Sequence, residues 1–239
     1  MTALAVVIPA HDEEALIGRC LASVERAVAH ARERDPGLSA VVVVALDDCT
    51  DTTAAQVRRR GIEAVELTAR RVGTARRVGV ERALSLLGSD PAHTWIAMTD
   101  ADTTVPRDWI THQLELMDAG VDLILGTVRP DFADLSARHA AYWRATHRRG
   151  EPAGNVHGAN LGVRASVYAR AGGIPDLAEH EDVALVRAVR AIGATVRASD
   201  THEVETSGRF TGRTPAGYAA FLRRVHAWVD SPPLAETGA

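Results

Sequence analysis

The sequence predicts an α/β fold in which helices flank a mostly parallel central sheet. Five short apolar runs rich in β-branched residues, LAVVIP, AVVVVAL, IEAVEL, TWIAMT and VDLILGT, lie near residues 4, 40, 62, 94 and 121. Each precedes a segment with the apolar spacing of a helix, which is the pattern of repeated βαβ units. The runs lack polar alternation, as strands buried on both faces do. Because ligands of such sheets bind beyond the carboxyl ends of the strands, the residues after each run are the candidate site residues.

Composition excludes several classes of function. A chain of 239 residues, 46% of them hydrophobic, can bury one sizeable core. The formal net charge is -4 and the basic residues, all arginine, are scattered, so no nucleic-acid-binding face is indicated. Cys20 and Cys49 match no metal-ligand spacing, which favours a reduced intracellular protein. The apolar runs are too short for a transmembrane segment and the first does not resemble a signal peptide, so a cytoplasmic location is expected.

The pattern changes after about residue 130. An Ala- and Arg-rich helix is predicted through Tyr142 and Trp143, followed by the loop GEPAGNVHGAN. A helix over 179–192, a strand over 194–198 and a helix over 215–229 are predicted next, and a Pro-containing tail ends the chain. Loops of this Gly- and Asn-containing kind often carry function.

The segment MTDADTTVP places two carboxylates just after a buried strand. Asp100 and Asp102 supply hard oxygen ligands on a short turn, which suits Mg²⁺ or Mn²⁺ and leaves coordination positions for phosphate oxygens. The alternative is an acidic turn that caps the helix opened by Pro106.

Other strand ends carry similar candidates. In LDDCTDTTA, Asp47 could contact a nucleoside or serve the turn alone, and in IPAHDEEALIG, Glu13 could be part of a capped helix that follows Pro9 and Ala10. In RRVGTARRVGV, Arg76, Arg77 and the other arginines surround Gly73, so guanidinium groups and helix N-terminal amides could face a diphosphate.

A third acidic site lies in EHEDVALVRAV. Glu181 and Asp182 stand near the start of a predicted helix, where a carboxylate could act as a general base. An acidic first turn that complements the helix dipole explains the same residues.

In chain order, VVIPAHDEE, LDDCTDTTA, RRVGTARRVGV, MTDADTTVP, GANLGVRASVYARAGG and EHEDVALVRAV resemble the motif series of glycosyltransferase family 2, over residues 5 to about 190. The resemblance implies a GT-A fold, a UDP- or GDP-linked sugar donor, Mn²⁺ or Mg²⁺, and usually inversion at the anomeric carbon. The acceptor would be a hydroxyl of a small molecule, a lipid-linked compound or a glycan. The family resemblance also implies one catalytic domain at 1–230, followed by a tail at 231–239. Within that domain it implies a nucleotide-binding half at 1–125 and an acceptor-binding half at 126–230.

The resemblance assigns roles on the donor side. Pro9, Ala10 and Glu13 would line the nucleoside pocket, and Asp47 would meet the base. Asp100 would contact the ribose or the metal, and Asp102 would bind the metal.

On the acceptor side, the GAN segment would border the sugar and the acceptor; its residues are Gly158, Ala159 and Asn160. Asp182 would deprotonate the attacking hydroxyl, with Glu181 beside it. His202 could complete the metal shell, and Arg209 or Arg213 could hold phosphate or a charged acceptor.

Two other functions remain open, and one is disfavoured. D-x-D-x-T at Asp100 also resembles the nucleophile motif of haloacid-dehalogenase-type phosphatases. That family usually has the motif on its first strand and a basic residue, generally Lys, later in the chain, whereas here three predicted strands precede the motif and Lys is absent. A non-catalytic nucleotide-sugar-binding protein would not need both Asp102 and Asp182. No QxxRW segment is present, which disfavours processive synthesis.

Overall fold

A computed structural model of the chain describes residues 2–150, 152, 154–177, 179–212 and 217–230. The strands are β1 Ala3–Ala10, β2 Ser39–Asp47, β3 Glu63–Leu67, β4 Thr94–Met98, β5 Thr103–Thr104, β6 Leu123–Pro130, β7 Leu161–Arg164 and β8 Val196–Thr206. The helices are α1 Ile17–Arg34, α2 Thr53–Arg59, α3 Val72–Leu87, α4 Trp109–Asp118, α5 Ala137–Thr146, α6 Ala165–Arg170, α7 Glu181–Ala191 and α8 Tyr218–Asp230.

Among the described residues these strands form one eight-stranded sheet in the order β3-β2-β1-β4-β7-β6-β8-β5. The first four positions are parallel, with Ala3 to Ala10 paired in register with Ser39 to Leu46. β7 runs antiparallel to both β4 and β6, and β5 runs antiparallel to β8. The predicted α/β class is therefore confirmed. Parallel pairing joins β3, β2, β1 and β4, whereas β7 is antiparallel to both of its neighbours.

Burial explains why the first half of the chain adopts this arrangement. Every residue of β1 is buried, as its unbroken apolar run predicts. On the facing side of α1, Ile17, Leu21, Val24 and Val28 recur at helical spacing and are buried. Gly79 lets α3 approach the sheet, since a Cβ there would lie 2.6 Å from Cγ1 of Val7.

Helix α3 also ends for a local reason. Gly88 follows its last residue with φ 55° and donates its N–H to the carbonyl of Leu84. This left-handed cap is the conformation that glycine adopts at least cost. The fixed length and close packing of α3 determine where its first turn lies, at the carboxyl edge of the parallel strands.

The described chain separates into two compact units. The larger comprises the residues up to Arg129 together with Gly150–Thr206, and contains the whole sheet except Pro130 at the end of β6. The smaller comprises Pro130–Arg149 and the described residues from Ser207 onward. Within the smaller unit, Ser136 caps α5 by accepting the N–H of His139. The predicted division into donor and acceptor halves concerns ligand binding and stays a prediction.

Most predicted later elements are present with shifted bounds. The predicted helix over 179–192 is α7, and the predicted strand over 194–198 is β8, which continues to Thr206. The last helix begins at Tyr218; position 215, where its start was predicted, and the tail at 231–239 lie outside the described residues, as does Arg213. Across the described part of the chain, none of the helices combines the length and the apolarity that crossing a bilayer requires.

Candidate active site at the carboxyl edge of the parallel strands

The predicted strand-end residues converge at one edge of the sheet. Ala10 ends β1 and pairs with Leu46, one residue before the end of β2, and β4 pairs with β1 up to Met98, so the three following loops share that edge. Two of these loops, and the segments that precede α3 and α7, have an unusual backbone conformation. Four non-glycine residues among those described have φ between 49° and 62°, and they are Asp12, Asp48, Arg70 and His180. Strained backbone of this kind concentrates at functional sites.

The loop after β1 is tied to the loop after β2. Pro9 and Ala10 are buried in the sheet, and the N–H of the buried Glu13 donates to Oγ1 of Thr53 over 2.8 Å. Oδ1 of Asp12 accepts the N–H of Thr50 at 2.7 Å, and this bond lowers the pKa of Asp12. Hydrogen bonds to the loop after β2 therefore hold the segment that contains the predicted nucleoside-pocket residues in place.

Asp47 holds the loop that precedes α3. The carboxylate is buried, and its two oxygens accept the N–H groups of Arg70 at 2.8 Å and Arg71 at 2.9 Å. Asp48 beside it pairs with the Arg70 guanidinium. The sequence left two roles open for Asp47, contact with a nucleoside or support of the turn alone. These hydrogen bonds support the loop, which is the second of the two roles. Each carboxylate oxygen can accept a second hydrogen bond, so a base contact stays compatible with this geometry.

Asp100 is paired with a buried arginine. Nη2 of Arg76 donates to Oδ1 of Asp100 at 2.5 Å, and Nη1 of the same guanidinium donates to Oε1 of Glu181. Only 5% of the Arg76 side chain and 4% of the Glu181 side chain are exposed, compared with 34% for Asp100. Burial by itself would lower the pKa of Arg76, but Asp100 and Glu181 raise it above its usual range, so the side chain remains a cation.

Arg77 and Gly73 flank Arg76 on α3. The half-exposed Arg77 donates to Glu81 at 3.1 Å along the helix surface. A Cβ at Gly73 would lie 3.0 Å from the carbonyl oxygen of Pro175, so the first turn of α3 lies directly against the loop that leads to α7. The diphosphate contacts predicted for all three residues stay predictions.

Asp102 lies between β4 and β5 and is half-buried. Its Oδ1 accepts hydrogen bonds from Oγ1 of Thr103 and Oγ1 of Thr206, each at 3.3 Å. The thiol of Cys20 donates to the backbone carbonyl of Asp100 at 3.3 Å from beneath the same turn. Burial, reinforced by both carboxylates, raises the pKa of that thiol above its usual range, so Cys20 supports the turn as a neutral donor.

Asp182 stands in the first turn of α7. Its Oδ2 accepts the N–H of Gly158 at 2.8 Å, and its Oδ1 accepts the N–H of Val183 at 2.7 Å. Burial raises the pKa of the neighbouring Glu181, while the Arg76 cation opposes that rise. The half-buried Asp182 is thus the more accessible of the two carboxylates, and the more buried Glu181 is held by Arg76.

The GAN segment forms a single 3₁₀ turn before β7. Ala159 is buried, and the buried Asn160 accepts from Nε1 of Trp109 at 2.8 Å and donates to the carbonyls of Thr127 and His202. These three bonds make Asn160 a connector between α4, β6 and β8. Its amide therefore fixes the position of the predicted sugar-bordering segment.

His202 lies beside Asp108. Its Nε2 is 2.9 Å from Oδ2 of Asp108, and its ring is 4.3 Å from that of His112. The described residues contain no group of three or more His, Cys, Asp or Glu side chains arranged to hold a metal ion. The structure thus brings Asp100 and Asp102 together on one turn and gives His202 a different carboxylate partner.

A model of the family described as Glycosyl transferase family 2 matches residues 5–170. The chain belongs to glycosyltransferase family 2. The match includes the Asp100–Asp102 turn and the GAN segment and ends before Glu181. No match was found among curated proteins.

Solved structures share the GT-A fold of this family member. S. aureus TarS 1-349 in complex with UDP-GlcNAc aligns with a TM-score of 0.64 and 15% identity over 96% of this chain and 65% of that chain. Mannosyltransferase PcManGT from Pyrobaculum calidifontis, in complex with GDP-Man and Mn²⁺, aligns with a TM-score of 0.61 and 21% identity over 95% and 69%. Glucosyl-3-phosphoglycerate synthase from Mycobacterium tuberculosis, in complex with Mn²⁺, UDP and phosphoglyceric acid, gives 0.55 and 17% over 100% and 82%.

Several site residues were missed in the sequence of this glycosyltransferase family 2 member. Thr206 and Cys20 support the Asp100–Asp102 turn, the candidate metal turn, from distant segments, and Trp109 holds Asn160. No local pattern identifies such residues, because each reaches the site only through the pairing of remote elements. The family match and the fold disfavour the phosphatase alternative, and its nucleophile, Asp100, is paired with Arg76.

Proposed function

We propose that this protein transfers a sugar from a nucleotide-diphosphate donor to a hydroxyl acceptor, with inversion and with the aid of Mn²⁺ or Mg²⁺. The observation that carries the proposal is the pairing of one guanidinium with Asp100 and Glu181. Through this contact a single side chain, Arg76, joins the candidate metal turn to the first turn of α7, which carries Asp182. A leaving-group site and a proton acceptor are needed at such neighbouring positions.

The donor set at Asp100 and Asp102 fits a hard divalent cation. Both side chains offer carboxylate oxygens on a partly exposed turn, and Mg²⁺-type ions usually bind through one or two carboxylates together with substrate phosphates. When bound, the cation neutralises the charge that develops on the departing diphosphate. Asp102 is the proposed direct ligand, and Asp100 is proposed to share a ribose or metal contact.

Asp182 is the proposed general base. Its carboxylate takes the proton of the acceptor hydroxyl as the hydroxyl oxygen bonds to the anomeric carbon and the nucleoside diphosphate departs with the bonding electrons. The N–H groups of Gly158 and Val183 orient this carboxylate. Pro9, Ala10 and Glu13 are proposed to border the nucleoside.

The remaining parts of the proposal concern range and location. This chain spans 65% of the length of the TarS fragment, so the donor sugar and the acceptor of the whole protein are left as classes: a UDP- or GDP-linked sugar and a small-molecule, lipid-linked or glycan hydroxyl. A cytoplasmic location is proposed because Cys20 and Cys49 are both free thiols, which suits a reducing compartment.

A thermal-unfolding panel tests the proposal. UDP, GDP and ADP are each added with and without Mn²⁺, and the matching nucleotide at 100 times its Kd should stabilise the fold by about 2.7 kcal/mol. That corresponds to a rise in Tm of roughly 5 to 10 °C for a chain of this size. Transfer assays with sugar derivatives of the matching nucleotide follow.

The same panel separates the alternatives. Stabilisation by one nucleotide that disappears without Mn²⁺ supports the metal site, and stabilisation that ignores Mn²⁺ contradicts it. Turnover of p-nitrophenyl phosphate with Mg²⁺, in the absence of any nucleotide effect, would favour the phosphatase. Nucleotide binding without transfer or donor hydrolysis would favour a binding protein.

A further inference from the structure

The most unusual side chain of the site is the buried Arg76. Its Nη2 donates to Asp100 on the metal turn, and its Nη1 donates to Glu181, the first residue of α7. Its Nε is buried and has no hydrogen-bond partner among the described residues. Both outer nitrogens that could reach a diphosphate are therefore engaged by protein carboxylates.

Stability alone gives a poor account of this arrangement. Burying an ion pair costs desolvation that the attraction within the pair often fails to recover, and apolar side chains of similar volume commonly serve a core as well or better. The unpartnered Nε adds to that cost. A buried arginine that joins two functional segments is more readily explained by the geometry it imposes.

The backbone around Arg76 is shaped to fit the guanidinium. A Cβ at Gly158 would overlap both terminal nitrogens of Arg76, so a larger residue there would have to displace the guanidinium from its present position. The N–H of that same Gly158 donates to Oδ2 of Asp182 at 2.8 Å. The guanidinium thus lies against Gly158, whose N–H orients the proposed base Asp182. It also pairs with Glu181, the residue that precedes Asp182.

The start of α7 is not set by ordinary capping. His180, at the N-cap, has φ 62° and makes no side-chain capping bond. Gly73 at the start of α3 lies against the 175–177 backbone and Cβ of Glu181. The position of the first turn of α7 therefore depends on its packing against α3 and on the hydrogen bond from Arg76 to Glu181.

We propose that Arg76 is a positioning residue that sets the distance between the metal turn and Asp182, and that it does not bind the donor. This inference rests on the proposed function and replaces the diphosphate contact suggested by the sequence. A forked guanidinium can hold Asp100 and Glu181 at once, whereas a lysine ammonium retains the charge as a single point without the planar fork. Loss of the fork should move Asp182 relative to the sugar while leaving the nucleotide pocket in place.

The test compares Arg76→Lys with Arg82→Lys. Arg82 is on the same helix and also forms a forked pair, with Glu63 at 2.8 and 2.6 Å, but its side chain is 44% exposed and lies outside the site. For Arg76→Lys we expect kcat to fall about 10²-fold, the size of loss that a displacement of about 1 Å can produce, while the Kd for the matching nucleoside diphosphate with Mn²⁺ changes less than about threefold. Arg82→Lys should change neither quantity.

Two outcomes overturn the proposal. A nucleotide Kd that rises in parallel with the loss of kcat would make Arg76 a donor ligand, and an unchanged kcat in a folded Arg76→Lys protein would leave it a structural residue only. Should Arg76→Lys fail to fold, Gly158→Ala displaces the guanidinium while retaining its charge and should give the same separation of kcat from Kd. Where Arg76→Lys does fold, the double variant Arg76→Lys/Gly158→Ala can be measured as well. Its loss of kcat should be smaller than the two single losses combined if both substitutions act through one contact.

Amide hydrogen exchange gives a readout that needs no turnover. Arg76→Lys should speed exchange at the Gly158 amide and in peptides covering 180–186, and Arg82→Lys should not. If the wild-type chain transfers no sugar from any donor, the proposed function fails, yet unaltered exchange at these two segments would still refute the positioning role on its own.

Discussion

Replacing Asp182 with Asn tests the proposed chemistry most directly. An amide does not accept a proton under these conditions, so Asp182→Asn removes the general base and keeps the size of the side chain. General-base assistance typically contributes about 10²- to 10⁴-fold to the rate, which equals about 2.7 to 5.4 kcal/mol of activation free energy. We expect kcat to fall within this range while the Kd for the nucleoside diphosphate with Mn²⁺ stays unchanged.

The same substitution has a smaller effect on folding stability. Asp182 accepts two backbone hydrogen bonds, from Gly158 at 2.8 Å and from Val183 at 2.7 Å, through different oxygens. An Asn side chain keeps one acceptor oxygen, so one of these bonds is lost, at about 1 kcal/mol. For a chain of this size the expected fall in Tm is about 2 to 4 °C. The catalytic loss exceeds the stability loss, and the two can be measured separately.

Steady-state transfer at saturating donor, over a range of acceptor concentrations, gives kcat for each variant. Asp90→Asn is the matched control, because the exposed Asp90 likewise accepts a backbone N–H, from Ala92 at 2.9 Å, and lies outside the site. It should lose similar stability and no activity. Wild-type kcat in Asp182→Asn would refute the assignment, and a full loss of kcat confined to Glu181→Gln would move the base to Glu181.

Three further predictions follow from named contacts. Asp102→Asn should weaken Mn²⁺-dependent nucleotide binding at least about 10-fold, as measured by calorimetry with and without Mn²⁺; equal affinity to the wild type would remove Asp102 from the metal site. Asn160→Ala should lower the free energy of unfolding by about 2 to 3 kcal/mol in urea titrations, because Nε1 of Trp109 loses its acceptor; a change below about 0.5 kcal/mol would contradict the connector role. Gly79→Ala should destabilise by about 1 to 3 kcal/mol, since its Cβ would lie 2.6 Å from Cγ1 of Val7, and an unchanged urea midpoint would show that α3 can shift.

The first half of the fold was predictable because its signals are local. Short β-branched runs predicted β1, β2, β3, β4 and β6, and the short β5 and β7 were missed. The expectation of burial on both faces was wrong for β3, which lies at the sheet edge and has no fully buried residue. β5 has two residues and β7 has four, so neither contains enough sequence for a period to be recognised. The antiparallel pairings in the middle of the sheet are made by β7, which pairs with both β4 and β6, and they were therefore not foreseen.

Some site residues were predicted with the right position and a different set of contacts. Asp47 lies at the ligand edge as expected, yet its oxygens hold the amides of Arg70 and Arg71. Arg76, for which a diphosphate contact was predicted, pairs with Asp100 and Glu181, and the predicted contact itself stays a prediction. Sequence spacing indicates which residues reach an edge, but it contains no information on which partner, 23 or more residues away, meets them there.

The sequence by itself determined the α/β class, the order of the acidic strand-end motifs and their place at one edge, because short apolar runs, helical spacing and strand-end position are properties of short segments. Only the tertiary structure decided that Asp100 and Glu181 share one buried guanidinium, and that Gly158 makes room for it. These contacts join segments far apart in the chain, and they form only when the close packing of the folded interior brings those segments together. The motifs thus indicated which chemistry to expect, and the tertiary packing determined which side chains position the residues proposed to perform it.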